Sequence, residues 1–225
     1  MPSKNALKEY GAGGYYHLYN RGINKRIIFK DDKDYKAFLS YLKFYLSPPD
    51  LRGLSSQVKV PPSRKLKNYQ GEIELLAYCL MPNHFHLMVR QNSDYGISHF
   101  MSSLITKYVR YFNTRYKRIG PLFQGRYKAV QIFDEYQFSY LTKYIHRNPI
   151  NLSTYEDSPR RSNLVDYKYS SYGNYLHLFE QEWVSTQDVL SYFSKTNHKL
   201  SYQSFVEESE IDDITRIIPL TLDLD

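Results

Sequence analysis

The chain has 225 residues, 42% of them hydrophobic, enough for one sizeable core or a core with an appendage. No run approaches the roughly eighteen apolar residues of a membrane span, and the stretch before Gly14 lacks the apolar middle of a signal peptide, so a cytoplasmic protein with no membrane partner is expected. The net charge of +7 is unevenly spread. Residues 1–150 hold 24 Lys/Arg against 10 Asp/Glu, giving +14, and residues 151–225 hold 6 against 13, giving −7. So basic a body suits a polyanionic partner such as nucleic acid, where phosphate neutralisation releases counterions, although a merely solvated basic surface would read the same way. The 24 Tyr and 12 Phe offer ring faces for unpaired bases, while most of them must serve the core. The single cysteine, Cys79, lies in an apolar run and excludes an internal disulfide.

In chain order, Tyr15 to Asn20 alternates as a strand and ends at the turn signal Arg21-Gly22. Asp31 or Asp32 caps a helix whose apolar positions Tyr35, Phe38, Leu39, Leu42 and Leu46 keep helical spacing until Pro48-Pro49. Residues 48–71 read as a basic, proline- and serine-containing loop insertion. Glu72 to Leu80 and His84 to Arg90, separated by Met81-Pro82-Asn83, predict an antiparallel hairpin. An amphipathic helix follows through Ile97, Phe100, Leu104, Tyr108 and Phe112, with Lys107, Arg110 and Arg115 on its polar face. Lys128 to Ile132 is a short strand, and Asp134 with Gln137 opens a last helix that Pro149 closes.

The order strand, helix, strand, strand, helix, strand predicts an α+β, ferredoxin-like antiparallel sheet with helices on one face, an extra helix, and a mainly helical C-terminal extension. The expected division is a catalytic domain over 1–150 and an extension over 151–225. The extension ends in an acidic tail from Glu207, expected to be able to fold over the basic face.

His84 and His86 alternate on a strand, so period two points both imidazoles the same way, roughly 6–7 Å apart at the backbone and close enough to share one metal ion. Such a pair is also met as a polar edge or a core pair. Tyr136, Tyr140 and Tyr144 recur every four residues on the last helix, and periodicity does not choose among them. Asn148, one turn after Tyr144, can offer an amide oxygen to a metal or cap the helix before Pro149. Arg21, Lys107, Arg110, Arg126 and Lys128 are candidates for a DNA path, since cations near the motif strands can neutralise phosphates without reading sequence. His17 and His146 read as structural or DNA-facing.

The stretches Ala77-Tyr78-Cys79-Leu80-Met81-Pro82-Asn83-His84-Phe85-His86-Leu87 and Tyr144-Ile145-His146-Arg147-Asn148-Pro149 closely resemble the REP-associated tyrosine transposases. These are relatives of the single-tyrosine insertion-sequence transposases among the HUH endonucleases. The resemblance runs from about Tyr15 to Asn151 and takes in Asn20-Arg21-Gly22 and Gly120-Pro121-Leu122-Phe123-Gln124-Gly125-Arg126; the long 48–71 loop departs from it.

It implies a ferredoxin-like core, a divalent cation, Mg²⁺ or Mn²⁺, on His84 and His86, and Tyr144 as the nucleophile that becomes linked to a DNA 5′ phosphate. The partner implied is single-stranded or hairpin DNA in the bacterial cytoplasm, at the nucleoid; monomer and homodimer are both open. A domesticated relative that binds such DNA without transposing it is the alternative reading. A two-histidine phosphoesterase would need a second His-x-Ser/Thr pair, which the chain lacks.

Overall fold

The computed structural model describes residues 10–48, 67–150 and 164–208. Most of the basic loop insertion, the start of the extension and nearly all of the acidic tail lie outside them. Strands β1 (Tyr15–Arg21), β2 (Ile73–Met81), β3 (His84–Gln91) and β4 (Lys128–Ile132) form one sheet in the order β2-β3-β1-β4, every pair antiparallel. Helices α1 (Asp32–Leu46) and α2 (Gly96–Arg115) cover one face, so this half is the expected ferredoxin-like arrangement. Asp31 rather than Asp32 caps α1, its carboxylate accepting from the amides of Lys33 and Asp34. Buried Asp34 accepts from Arg115, Tyr116 and the amide of Lys30, tying the start of α1 to the end of α2.

The first core joins Tyr16 and Leu18 of β1 and Phe85, Leu87 and Val89 of β3 to Phe38, Leu42, Phe100, Leu104, Tyr108 and Phe112 of the helices. A second core lies on the opposite face. There α3 (Glu135–Arg147) packs against Met88, Cys79 and Ile132, and the extension folds over it through α4 (Tyr172–Tyr175), α5 (Gln187–Leu190) and α6 (Tyr202–Glu207). Both faces of β2 are therefore buried, which explains why its sequence is a continuous apolar run instead of an alternating one. A bulge between Leu75 and Ala77 lets Leu75 enter the first core while Leu76 enters the second.

The extension also covers the free edge of β2: Leu80 N donates to Tyr169 O and Ser171 N to Tyr78 O, occupying backbone groups that an edge strand would otherwise present. On the first face, the Tyr169 ring lies 3.6 Å from that of Tyr35. Val206 is fully buried, and Arg147 donates to its carbonyl at 2.6 Å. The described part of the extension is thus built into the fold through α6, which ends at Glu207, where the acidic tail was expected to begin.

His146 is the polar centre of this second core. Its Nδ1 is 2.6 Å from Tyr202 Oη and its Nε2 2.8 Å from Ser171 Oγ, and burial pushes its pKa down from 6.5 to about 3. The folded form holds it neutral, whereas the unfolded chain takes up a proton below pH 6.5, so stability falls as pH drops from 6.5 towards 3 and is unaffected above. Each unit in that window costs about 1.4 kcal/mol. Urea unfolding at pH 7.5 and pH 5 should show about 2 kcal/mol more loss for the natural chain than for His146→Gln, which retains hydrogen-bonding groups without the titration. Equal losses would remove His146 as the source.

Candidate metal and nucleophile site

The site is assembled from three strands and one helix. On β3, His84 and His86 share the face opposite the first core, and the register sets them against Arg21 and Tyr19 of β1. Lys128 of β4 stands opposite Tyr19, so it shares that face. Between β2 and β3 the link is only Pro82-Asn83, with Met81 paired to His84. This short turn brings a side chain against the site: Asn83 Oδ1 is 2.6 Å from His84 Nδ1.

Backbone bonds lock the turn to distant motif segments. Gly22 N donates to Asn83 O at 2.8 Å, Ile28 N and Phe29 N both donate to Pro82 O, and Gln124 N donates to Arg21 O. The segments around Arg21, Asn83 and Gln124, far apart in sequence, are therefore one hydrogen-bonded unit. Gly22 is required by proximity, since a Cβ there would lie 2.2 Å from Arg26 O and 2.8 Å from Ile28 Cγ2.

Helix α3 begins where Asp134 accepts from Gln137 N and Gln137 Oε1 accepts from Phe133 N, a reciprocal cap. It crosses the histidine-bearing face and sets the Tyr144 ring edge-on to His86, with centroids 5.4 Å apart. Tyr136 and Tyr140 stack on each other at 4.0 Å, and Tyr140 meets Phe205 of α6 edge-on. Of the three tyrosines in the stripe, Tyr144 is the one whose ring is packed beside the histidines.

Asn148 fills both roles the sequence left open. Its Nδ2 donates to Tyr144 O at 3.0 Å, closing the last turn of the helix, and this turns its Oδ1 to within 3.3 Å of His84 Nε2. The hydrogen bonds also restrict the tautomers. Asn83 Nδ2 donates to Lys25 O, so its oxygen faces His84 and can only accept; Nδ1 of His84 carries the proton. His84 Nε2 then either holds a second proton, making the ring cationic, or points a lone pair at another acceptor.

His86 is completely buried, and its pKa lies well below 6.5, first because of burial and then because of neighbouring His84, His17 and Arg21, with Asn148 opposing. It is neutral. Its Nδ1 is 2.9 Å from His17 Nε2, and its Nε2 has no hydrogen-bond partner among the described residues. Arg21 Nε is likewise buried and unpartnered among them.

His17, read from the sequence as structural or DNA-facing, and Asn83, given no role there, both touch the histidine pair. Asn83 could have been noticed only from its place in the two-residue turn, and His17 only once the register of β1 was known. Arg21 and Lys128 adjoin the site, and Arg126 is exposed just before Lys128. Lys107 and Arg110 are on α2, on the far side of the sheet. Lys107 Nζ sits 4.0 Å from the Phe44 ring centroid and Arg110 is exposed. They are not brought to the histidines, because the apolar side of α2 binds the opposite sheet face and turns its polar side further away.

A family model described as "Transposase IS200 like" matches residues 63–148, a span that takes in β2, β3, α2, β4 and α3 but not β1. Over that span this bears out the resemblance to the single-tyrosine transposases. Among solved structures, one described as "Structure of the REP associates tyrosine transposase bound to a REP hairpin" aligns with a TM-score of 0.49 and 16% identity, over 87% of this chain and 94% of that one. No curated protein matches. Among the described residues, no helix is long and apolar enough to cross a membrane.

Gly22→Ala tests the lock under the site. Forcing a methyl group against Arg26 O should lower unfolding free energy by about 1–3 kcal/mol in urea. Gly11→Ala, whose added Cβ meets nothing within 4 Å, should leave it nearly unchanged. Equal stability of the two variants would show that the close approach is easily relaxed.

Proposed function

We propose that this protein cleaves and rejoins single-stranded DNA near hairpins by tyrosine transesterification, assisted by Mg²⁺ or Mn²⁺ on His84, His86 and Asn148. The observation that carries this reading is the convergence of electron-pair donors beside Tyr144. His86 Nε2 is buried without a hydrogen bond of good geometry among the described residues, and His84 Nε2 faces the amide oxygen of Asn148. Two acceptors face to face are unfavourable unless a proton or a cation lies between them, so the residues fit a metal ion. Among the described residues no group of three or more His, Cys, Asp or Glu converges. A cation at this pair would then keep positions for substrate oxygens, as suits Mg²⁺ or Mn²⁺. When bound, it would polarise the scissile phosphate and stabilise the departing oxygen.

The chain's own groups supply the rest. Tyr144 Oη attacks phosphorus; the Oη–P bond forms as the P–O3′ bond breaks. The electron pair leaves with the 3′ oxygen, which gains a proton, while tyrosine loses one. The reaction conserves the number of phosphodiester-type linkages, so a strand bearing a free 3′ hydroxyl can reverse it and be joined. Arg21 and Lys128 supply positive charge for phosphates on this face, and Arg126 extends that charge along the loop.

Incubation of the chain with Mn²⁺ and hairpin-bearing single strands should yield a protein–DNA adduct that survives denaturing electrophoresis. Tyr144→Phe should abolish the adduct and leave DNA affinity nearly intact, while Tyr140→Phe should retain it. An adduct formed by Tyr144→Phe would move the role to another residue. His84→Ala and His86→Ala should each remove metal-dependent cleavage, and Asn148→Ala should raise the Mn²⁺ needed for half activity roughly tenfold, the loss typical of a weakened metal shell. A chain that binds the hairpin but never forms the adduct would instead favour the DNA-binding reading.

A further inference from the structure

Behind the histidine pair, in the interior of the sheet, lies a third histidine with no role yet assigned. His17 sits on β1 between Met88 and Val130, its partners in register, and is fully buried. An apolar residue would fill such a position without the cost of burying a polar ring. Its Nε2 lies 2.9 Å from His86 Nδ1, with the two ring planes 18° from parallel and centroids 5.1 Å apart. We infer that His17 is a positioning residue: it accepts the Nδ1 proton of His86 and thereby holds the His86 Nε2 lone pair towards the proposed metal position. The inference rests on the metal-site reading above.

A hydrogen bond between two imidazole nitrogens contains one proton, so the donor is either His17 or His86. If His17 were the donor, His86 would carry its own proton on Nε2, where the Asn148 amide oxygen is near enough to oppose the lowering of its pKa but makes no hydrogen bond of good geometry, and no other described residue does. If His86 is the donor, its Nε2 presents a lone pair instead, and the buried edge becomes a ligand. The second arrangement avoids the stranded donor. It also matches what Asn83 does on the other histidine, where an amide oxygen holds the proton on His84 Nδ1. Both rings are then set with protons at Nδ1 and lone pairs at Nε2 by residues that do not themselves touch the metal position, the usual way an outer partner fixes a ligand's tautomer and orientation. The placement further explains why a histidine, and not another ring, occupies β1 at this point: the acceptor must reach across one strand spacing to His86 Nδ1.

The test uses the full chain free of metal and then titrated with Mn²⁺. Nitrogen-15 NMR of the unaltered protein should find the His86 proton on Nδ1. His17→Phe, which keeps a buried ring without an acceptor, should weaken Mn²⁺ binding about 10- to 100-fold by electron paramagnetic resonance. His17→Gln, whose Oε1 can accept the same proton, should recover most of the lost affinity even if its melting temperature resembles that of His17→Phe. A merely space-filling role predicts the opposite ranking or none. A proton found on Nε2 of the unaltered protein would overturn the inference, as would a folded His17→Phe that binds Mn²⁺ as the unaltered chain does. Should His17→Phe fail to fold, the tautomer measured in the unaltered chain decides the matter. An unaltered chain that takes up no Mn²⁺ would sink the metal-site reading itself, and this inference with it.

Discussion

The register of the central strand is the constraint on which the rest depends. β1 is hydrogen-bonded on both sides, to β3 and to β4, and its pairing sets Arg21 against His84, Tyr19 against His86 and Lys128, and His17 within hydrogen-bond reach of His86. Side chains alternate strictly along a strand, so a slip of one residue would turn His86 into the helix-covered core and bring Phe85 to the face that now carries the histidines. Several devices prevent the slip. Leu18 and Tyr16 are committed to the first core, Gly22 passes too close to Arg26 for any side chain, and the Pro82-Asn83 turn is held by amides from Gly22, Ile28 and Phe29.

A ferredoxin-like sheet with helices on one side leaves its other face open. Here much of that face is covered by α3 and by the described part of the extension, and the covering explains the composition better than nucleic-acid stacking does. Tyrosines supply apolar bulk and a hydroxyl that ties one layer to the next: Tyr167 donates to Leu80 O, Tyr175 to Leu76 O and Tyr78 to Gln181. Helix α3 is consequently held from both sides, against the sheet through Leu141 and Ile145 and against α6 through Tyr140 and Arg147. A helix so clamped holds the Tyr144 ring beside the histidines in a defined place, and in the proposed reaction this lowers the entropic cost of bringing the nucleophile to the phosphate.

Burial also divides the labour among histidines. His146 and His86 are both forced to remain neutral by desolvation, yet their surroundings differ. His146 has a hydroxyl at each nitrogen and is satisfied, so it serves as a polar rivet in an apolar layer. His86 has a hydrogen-bond partner on one nitrogen only among the described residues, and its other edge faces the proposed metal position.

Local sequence was enough to locate the strands, the two long helices, the cap at Asp134 and the pairing of His84 with His86 on one face, because each of these follows from periodicity or capping within a few residues. The motif resemblance supplied the choice of Tyr144, which a stripe of three tyrosines with identical spacing could not. Other features needed the assembled fold. That Lys107 and Arg110 belong to the far layer depends on which sheet face α2 covers, a matter of handedness and connection that no window of sequence contains. That Asn148 caps α3 and faces His84 at once depends on where the helix crosses the sheet. His17 is the clearest case: its neighbour in space, His86, is 69 positions away, and its meaning comes from a hydrogen bond across two strands whose register is set by turns, packing and one crowded glycine. Patterns along a chain record which face a residue takes; only the tertiary structure decides what it finds there.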